Sequence, residues 1–169
     1  YDEMDEPTGF NIRQKEIEEL PWGGKLAFYW CIVGGAIDNR YIGAIKKGIL
    51  QQMNDGPLTG SRCQNVRVII YDGKMHSVDS NDISFQLAAA GAFKEAFHQA
   101  KPQLLEPVYS VEILCPDEDT GDVMGDLQTR RAIISGMDSE GHYQKVLAEV
   151  PLAELHDYGS TLRSISGGR

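Results

Sequence analysis

Two stretches rich in aromatic and β-branched residues, KLAFYWCIV (25–33) and NVRVIIYDG (65–73), flank a segment whose apolar residues recur at helical spacing. Ile42, Ile45, Ile49 and Met53 form one face of a helix, entered at a cap on Asp38 or Asn39 and stopped by Gly56-Pro57. A strand, a helix and a second strand in that order make a βαβ-type unit, and few folds accept one. Gly43 and Gly48 sit inside the helix, where each costs roughly 1 kcal/mol against alanine. They imply close packing on a neighbour, or tolerance.

After Gly73 comes a short loop and then a second helix. Asp79 or Ser80 is its expected cap, Asp82 lies in its favourable first turn, and Ile83, Leu87, Ala90, Phe93 and Phe97 are its expected apolar face. Lys101-Pro102 closes it. Residues 1–25 are acidic and rich in turn formers, and read as a loop with a short charged helix near Gln14–Leu20. Beyond a boundary near Leu104–Pro107 the pattern restarts. VYSVEIL (108–114) reads as a strand, and a helix begins at Thr120 or Asp122 and runs through Val123 and Leu127. RAIISGM and YQKVLAEVPL pair across a turn at Asp138–Gly141, and a last helix lies in AELHDYGSTLRS. This β-α-β-β-α order is a ferredoxin-like sandwich one strand short. The expected class is α+β, in two small domains over residues 1–106 and 107–169.

Length and composition agree with two small globular domains: 169 residues, 41% apolar and 24% charged. No apolar run reaches the ~20 residues of a membrane span, and no signal peptide opens the chain. Tyr1 in place of a starting methionine points to a piece of a larger or processed protein. Cys31, Cys63 and Cys115 are odd in number and far apart, as reduced, buried thiols of a cytoplasmic protein would be. The net charge of −9 opposes bulk binding to nucleic acid. It is unevenly spread, however. Residues 1–26 hold 3 basic and 7 acidic groups, residues 107–169 hold 5 and 11, and residues 27–106 hold 8 and 7.

Catalytic motifs are wanting. WGGK at 22–25 lacks the spacing that wraps a phosphate, and GDVMG at 121–125 is too acidic to pair helices in a membrane. His76, His98, His142 and His156 have no metal-ligand spacing with one another or with the cysteines. Nothing local points to a Cys–His nucleophile pair. Asp117, Glu118 and Asp119 read better as a solvated turn than as an acid–base pair. KVLAEV (145–150) lacks the aromatics of a base-stacking sheet. What stands out is the loop Gly73, Lys74, Met75, His76, Ser77, Val78, Asp79, Ser80. A strand and a capped helix can hold it away from the body. Lys74 can meet a phosphate, His76 can hydrogen-bond or stack, and Met75 and Val78 can anchor the base or make contacts.

In family order, DGPLTGSRCQNVRVIIYDGKMHSVDS, AFKEAF, AKPQLLEP, TGDVMGDLQTRR and AEVPLAEL…YGSTLRS resemble elongation factor G over residues 26–169. The resemblance implies that residues 1–106 are most of a ribosomal-protein-like fourth-domain arm and residues 107–169 most of the fifth domain. It implies that Gly73–Ser80 is the arm's tip, approaching tRNA and mRNA at the small-subunit decoding centre of the ribosome. His76 then falls at the tip histidine, whose counterpart eukaryotic relatives modify. The fifth domain is expected near the large-subunit stalk base, with no membrane partner. The parent would be a cytoplasmic GTPase whose GTP and Mg2+ belong to a G domain outside this chain, so no cofactor and no catalytic residue is expected here. A recycling or ribosome-protection paralogue is the alternative. Three departures accompany the match. Thr8–Trp22 looks like an insertion, Asp38 stands where the family often has proline, and the second tip loop and the last strand are expected outside Tyr1–Arg169.

Overall fold

The computed structural model describes residues 6–168 and divides the chain into two compact units, Tyr1–Pro102 and Gln103–Arg169. The first holds β1 (Gln14–Glu19), β2 (Lys25–Trp30), α1 (Ile42–Asn54), β3 (Val66–Ile70) and α2 (Asp82–Gln99). β2 is the middle strand, antiparallel to β1 and parallel to β3, which it reaches through α1. The βαβ expectation is met.

β2 explains its own composition. Leu26, Phe28 and Trp30 face a core with Ile45, Ile49 and Met53 of α1 and Phe85 and Phe93 of α2. Ala27, Tyr29 and Cys31 face the other way and are buried with Ile12 and Ile69 beside them. A strand covered on both faces reads as an unbroken apolar run, without alternation. β1 joins β2 through a turn in which Gly23 and Gly24 take left-handed φ of 93° and 78°. A Cβ on Gly24 would stand 2.6 Å from that of Gln64, so both the conformation and the space there require glycine.

β1 corrects the sequence reading, which made Gln14–Leu20 a charged helix. QKEIEE carries one apolar residue in six, so it shows neither helical nor strand period. Backbone pairing with β2 decided the matter, as tertiary context often does for strands. Charge along this edge also opposes pairing with other chains. Lys46 of α1 reaches out to bridge Glu16 (2.6 Å) and Glu18 (2.5 Å) of β1.

α2 corrects two further expectations. Its cap is Asn81 rather than Asp79 or Ser80: Asn81 Oδ1 accepts from the Ser84 N–H (2.8 Å), and Ser84 Oγ accepts from the Asn81 N–H (3.0 Å). Its buried face runs through Phe85, Ala89, Phe93 and Phe97, leaving Ile83 and Leu87 70% and 67% exposed. α1 fixes that rotation. Gly48 packs so tightly that an added Cβ would overlap the Gln86 carbonyl, whereas Gly43 faces open space. One glycine is a contact and the other is tolerance.

The second unit runs β4 (Val108–Pro116), α3 (Thr120–Thr129), β5 (Ile133–Glu140), β6 (Tyr143–Pro151) and α4 (Tyr158–Ile165), the expected β-α-β-β-α order. Its antiparallel sheet is ordered β4-β6-β5. Ile113 and Cys115 of β4 and Val146, Ala148 and Val150 of β6 pack on Val123 and Leu127 of α3. Among the described residues, no helix is long and apolar enough to cross a membrane.

Candidate functional site

The loop between β3 and α2 is held at its base and exposed at its apex. Gly73 donates its N–H to Asp72 Oδ1 (2.7 Å) and lies against Ile37, whose side chain a Cβ at this position would meet. Met75 turns inward onto the core, and its Sδ accepts from the Asp38 N–H (3.3 Å). Met75 is therefore the anchor. Val78, in the turn Ser77–Asp79, is 88% exposed and makes the apex. On the far side His76 donates its N–H to Ser80 Oγ (2.7 Å), and Ser80's carbonyl accepts from the Tyr41 hydroxyl (3.1 Å). Ser84 Oγ donates to the Asp79 carbonyl (3.0 Å), joining the loop to the cap of α2.

Lys74, His76, Ser77, Val78 and Asp79 are exposed; Met75 and Ser80 are half-buried. The cation and the imidazole thus stand in solvent on a backbone tied down at both ends. Such an arrangement can present donors to a phosphate or a base edge and can fill space. Sequence reasoning missed the residues that hold it. Ile37, Asp38 and Tyr41 belong to the lead-in to α1 and lie 36–39 positions from their partners at Gly73, Met75 and Ser80, with no local sign of the contact.

The other candidates resolve into scaffolding. Burial pushes the Cys31 and Cys63 thiols up, away from the reactive thiolate. Cys31, Cys63 and Cys115 are all buried and unbridged. Asp117–Asp119 is a 3-10 turn leading into α3, with Asp117 accepting from Gln144 Nε2 (2.8 Å). Among the described residues, no three His, Cys, Asp or Glu side chains gather as metal ligands would.

Two family descriptions cover this fold almost end to end. "Elongation factor G, domain IV" matches residues 12–101, and "Elongation factor G C-terminus" matches residues 103–169. The chain belongs to the elongation factor G family. An elongation factor G-like protein of Thermotoga maritima is 48% identical over 155 residues, which is 91% of this chain and 23% of that protein. The elongation factor G of Aquifex pyrophilus is 46% identical over 154 residues, 91% of this chain and 22% of that one. A crystal structure of a Thermus thermophilus protein superposes with a TM-score of 0.71 at 40% identity, covering 91% of this chain and 25% of that one. The chain thus spans under a quarter of the length of these curated relatives. The domain IV match starts at Ile12, so most of Thr8–Trp22, β1 included, lies within the matched range.

Proposed function

We propose that this chain is the RNA-facing arm and adjoining C-terminal domain of a translation elongation factor that promotes GTP-dependent movement of tRNA and mRNA on the ribosome. The loop Gly73–Ser80 is the working tip, meeting tRNA and mRNA at the small-subunit decoding centre, and unit 103–169 serves near the large-subunit stalk base. The observation that carries this reading is a loop with exposed Lys74, His76 and Val78 on a base tied to Ile37, Asp38 and Tyr41. Its chemistry is positional. By entering space that a moving tRNA vacates, a stiff loop stabilises the forward state without making or breaking a bond. Lys74 supplies a point charge for phosphate and His76 a hydrogen-bonding, stackable ring. GTP and Mg2+ act elsewhere in the parent.

In the whole factor, Lys74→Ala with His76→Ala should slow tRNA movement about tenfold and leave ribosome-stimulated GTP hydrolysis near its normal rate. Rapid-mixing measurements of both steps check this. Loss of hydrolysis with movement intact would reverse the assignment. A recycling or protection role is the second reading, left open because the Thermotoga maritima relative is named only "elongation factor G-like". It predicts a whole factor that splits ribosomes or releases a bound drug while failing to support movement.

A further inference from the structure

We infer that Tyr41 is a positioning residue of the loop, setting the place of His76 through Ser80; the inference rests on the loop being the working tip. The Tyr41 hydroxyl has two partners. It receives a hydrogen bond from the Arg40 guanidinium (2.9 Å) and gives one to the Ser80 carbonyl (3.1 Å). A guanidinium has no acceptor, so the phenolic proton can point only toward Ser80. The next link is Ser80's own hydroxyl, which accepts the His76 N–H at 2.7 Å. Arg40, Tyr41, Ser80 and His76 thus form one chain of contacts, in which the Tyr41 and His76 bonds converge on two acceptors of the same residue, the Ser80 carbonyl and the Ser80 hydroxyl.

Packing fixes the ring that starts this chain. Tyr41 is 4% exposed, and its ring stacks on Phe85 with centroids 4.3 Å apart and planes 23° apart. The Arg40 guanidinium lies 4.8 Å from the same ring's centroid. Phe85 in turn belongs to the first turn of α2, just after the Asn81 cap. The hydroxyl is therefore delivered to Ser80 by core contacts that do not depend on it. Asp38, three residues earlier, holds Met75 on the other side of His76. A single turn, Ile37–Tyr41, grips the loop on both flanks of its imidazole. A group that must meet RNA at a fixed point gains from such support, because freedom at the tip would have to be lost on binding.

Tyr41→Phe tests this, since it keeps the ring and deletes only the bond. In this chain it should speed hydrogen exchange of the His76 amide about tenfold and leave the β2 amides unchanged. Ser80→Ala, which removes the acceptor itself, should give the same acceleration, and the double variant no more than either single one. In the whole factor Tyr41→Phe should slow tRNA movement with GTP hydrolysis unaltered. Unchanged His76 exchange in Tyr41→Phe, with acceleration in Ser80→Ala, overturns the relay. Accelerated exchange with normal movement, where His76→Ala slows it, overturns the positioning role. If His76→Ala also leaves movement normal, the reading of the loop as working tip falls instead, and with it any functional consequence of the relay.

Discussion

At the scale of single residues, Gly43 and Gly48 make opposite predictions from one residue type. Both lie within α1, but Gly43 is exposed with open space beside it, while Gly48 touches the backbone of α2 at Gln86. Gly43→Ala should stabilise the fold by about 0.5–1 kcal/mol through helix propensity. Gly48→Ala should destabilise it by about 1–3 kcal/mol, because backbone must move to admit the methyl. Chemical denaturation of the two variants decides. Tyr158 offers a second case. Burial pushes its phenol up to about 12, with Asp126 adding to the rise and Arg130 opposing it. The folded state therefore holds this proton more tightly than the unfolded chain does. The stabilisation is complete below the ordinary value of 10.0 and is lost as pH climbs toward about 12. Tyr158→Phe should flatten that alkaline decline. At neutral pH it should cost little, since the hydroxyl is buried without a hydrogen-bond partner among the described residues.

Between elements, two junctions carry more than their size suggests. Ser84→Ala breaks the reciprocal cap of α2 and also frees the Asp79 carbonyl. It should cost about 0.5–2 kcal/mol and raise amide exchange in the loop beyond the level of an ordinary cap loss. In the other unit Arg130 joins three pieces: Nε to Asp126 of α3 (2.7 Å), one terminal nitrogen to the Glu154 carbonyl (2.6 Å), the other to Thr161 of α4 (3.1 Å). Arg130→Lys cannot reproduce that fork and should lower the unit's stability by about 1–3 kcal/mol, read from its melting curve. These junctions also mark how far the sequence could be read. β2 was legible because burial on both faces leaves an apolar run, and α1 because Ile45, Ile49 and Met53 keep one period. β1 was hidden because its partner, and not its residues, makes it a strand. The face of α2 was misjudged because an alanine-rich helix offers several apolar stripes, and the Gly48–Gln86 contact that chooses among them is long-range. The exposure of the loop could be anticipated from strand, loop and cap, whereas its grip by Ile37, Asp38 and Tyr41 could not.

For the whole molecule, charge sets the terms of any meeting with RNA. The chain carries −9 overall, and only residues 27–106 escape a strong acidic excess. A general positive field cannot supply affinity here, so any contact with RNA would have to come from a few placed groups. Measured by fluorescence anisotropy, the isolated chain should bind single-stranded RNA weakly at physiological salt, and Lys74→Ala should reduce the salt dependence by about one phosphate contact. Tight, salt-steep binding by the isolated chain would contradict this. The architecture carries a mechanical corollary as well. α2 is a single uninterrupted helix of 18 residues, fastened beneath the loop by the Asn81–Ser84 cap and followed at Lys101 by a left-handed residue, φ 56°. Over roughly 27 Å such a rod is stiff along its axis. A load borne by the loop would therefore be carried along the axis of α2, since the helix has no break between Asp82 and Gln99 at which to bend.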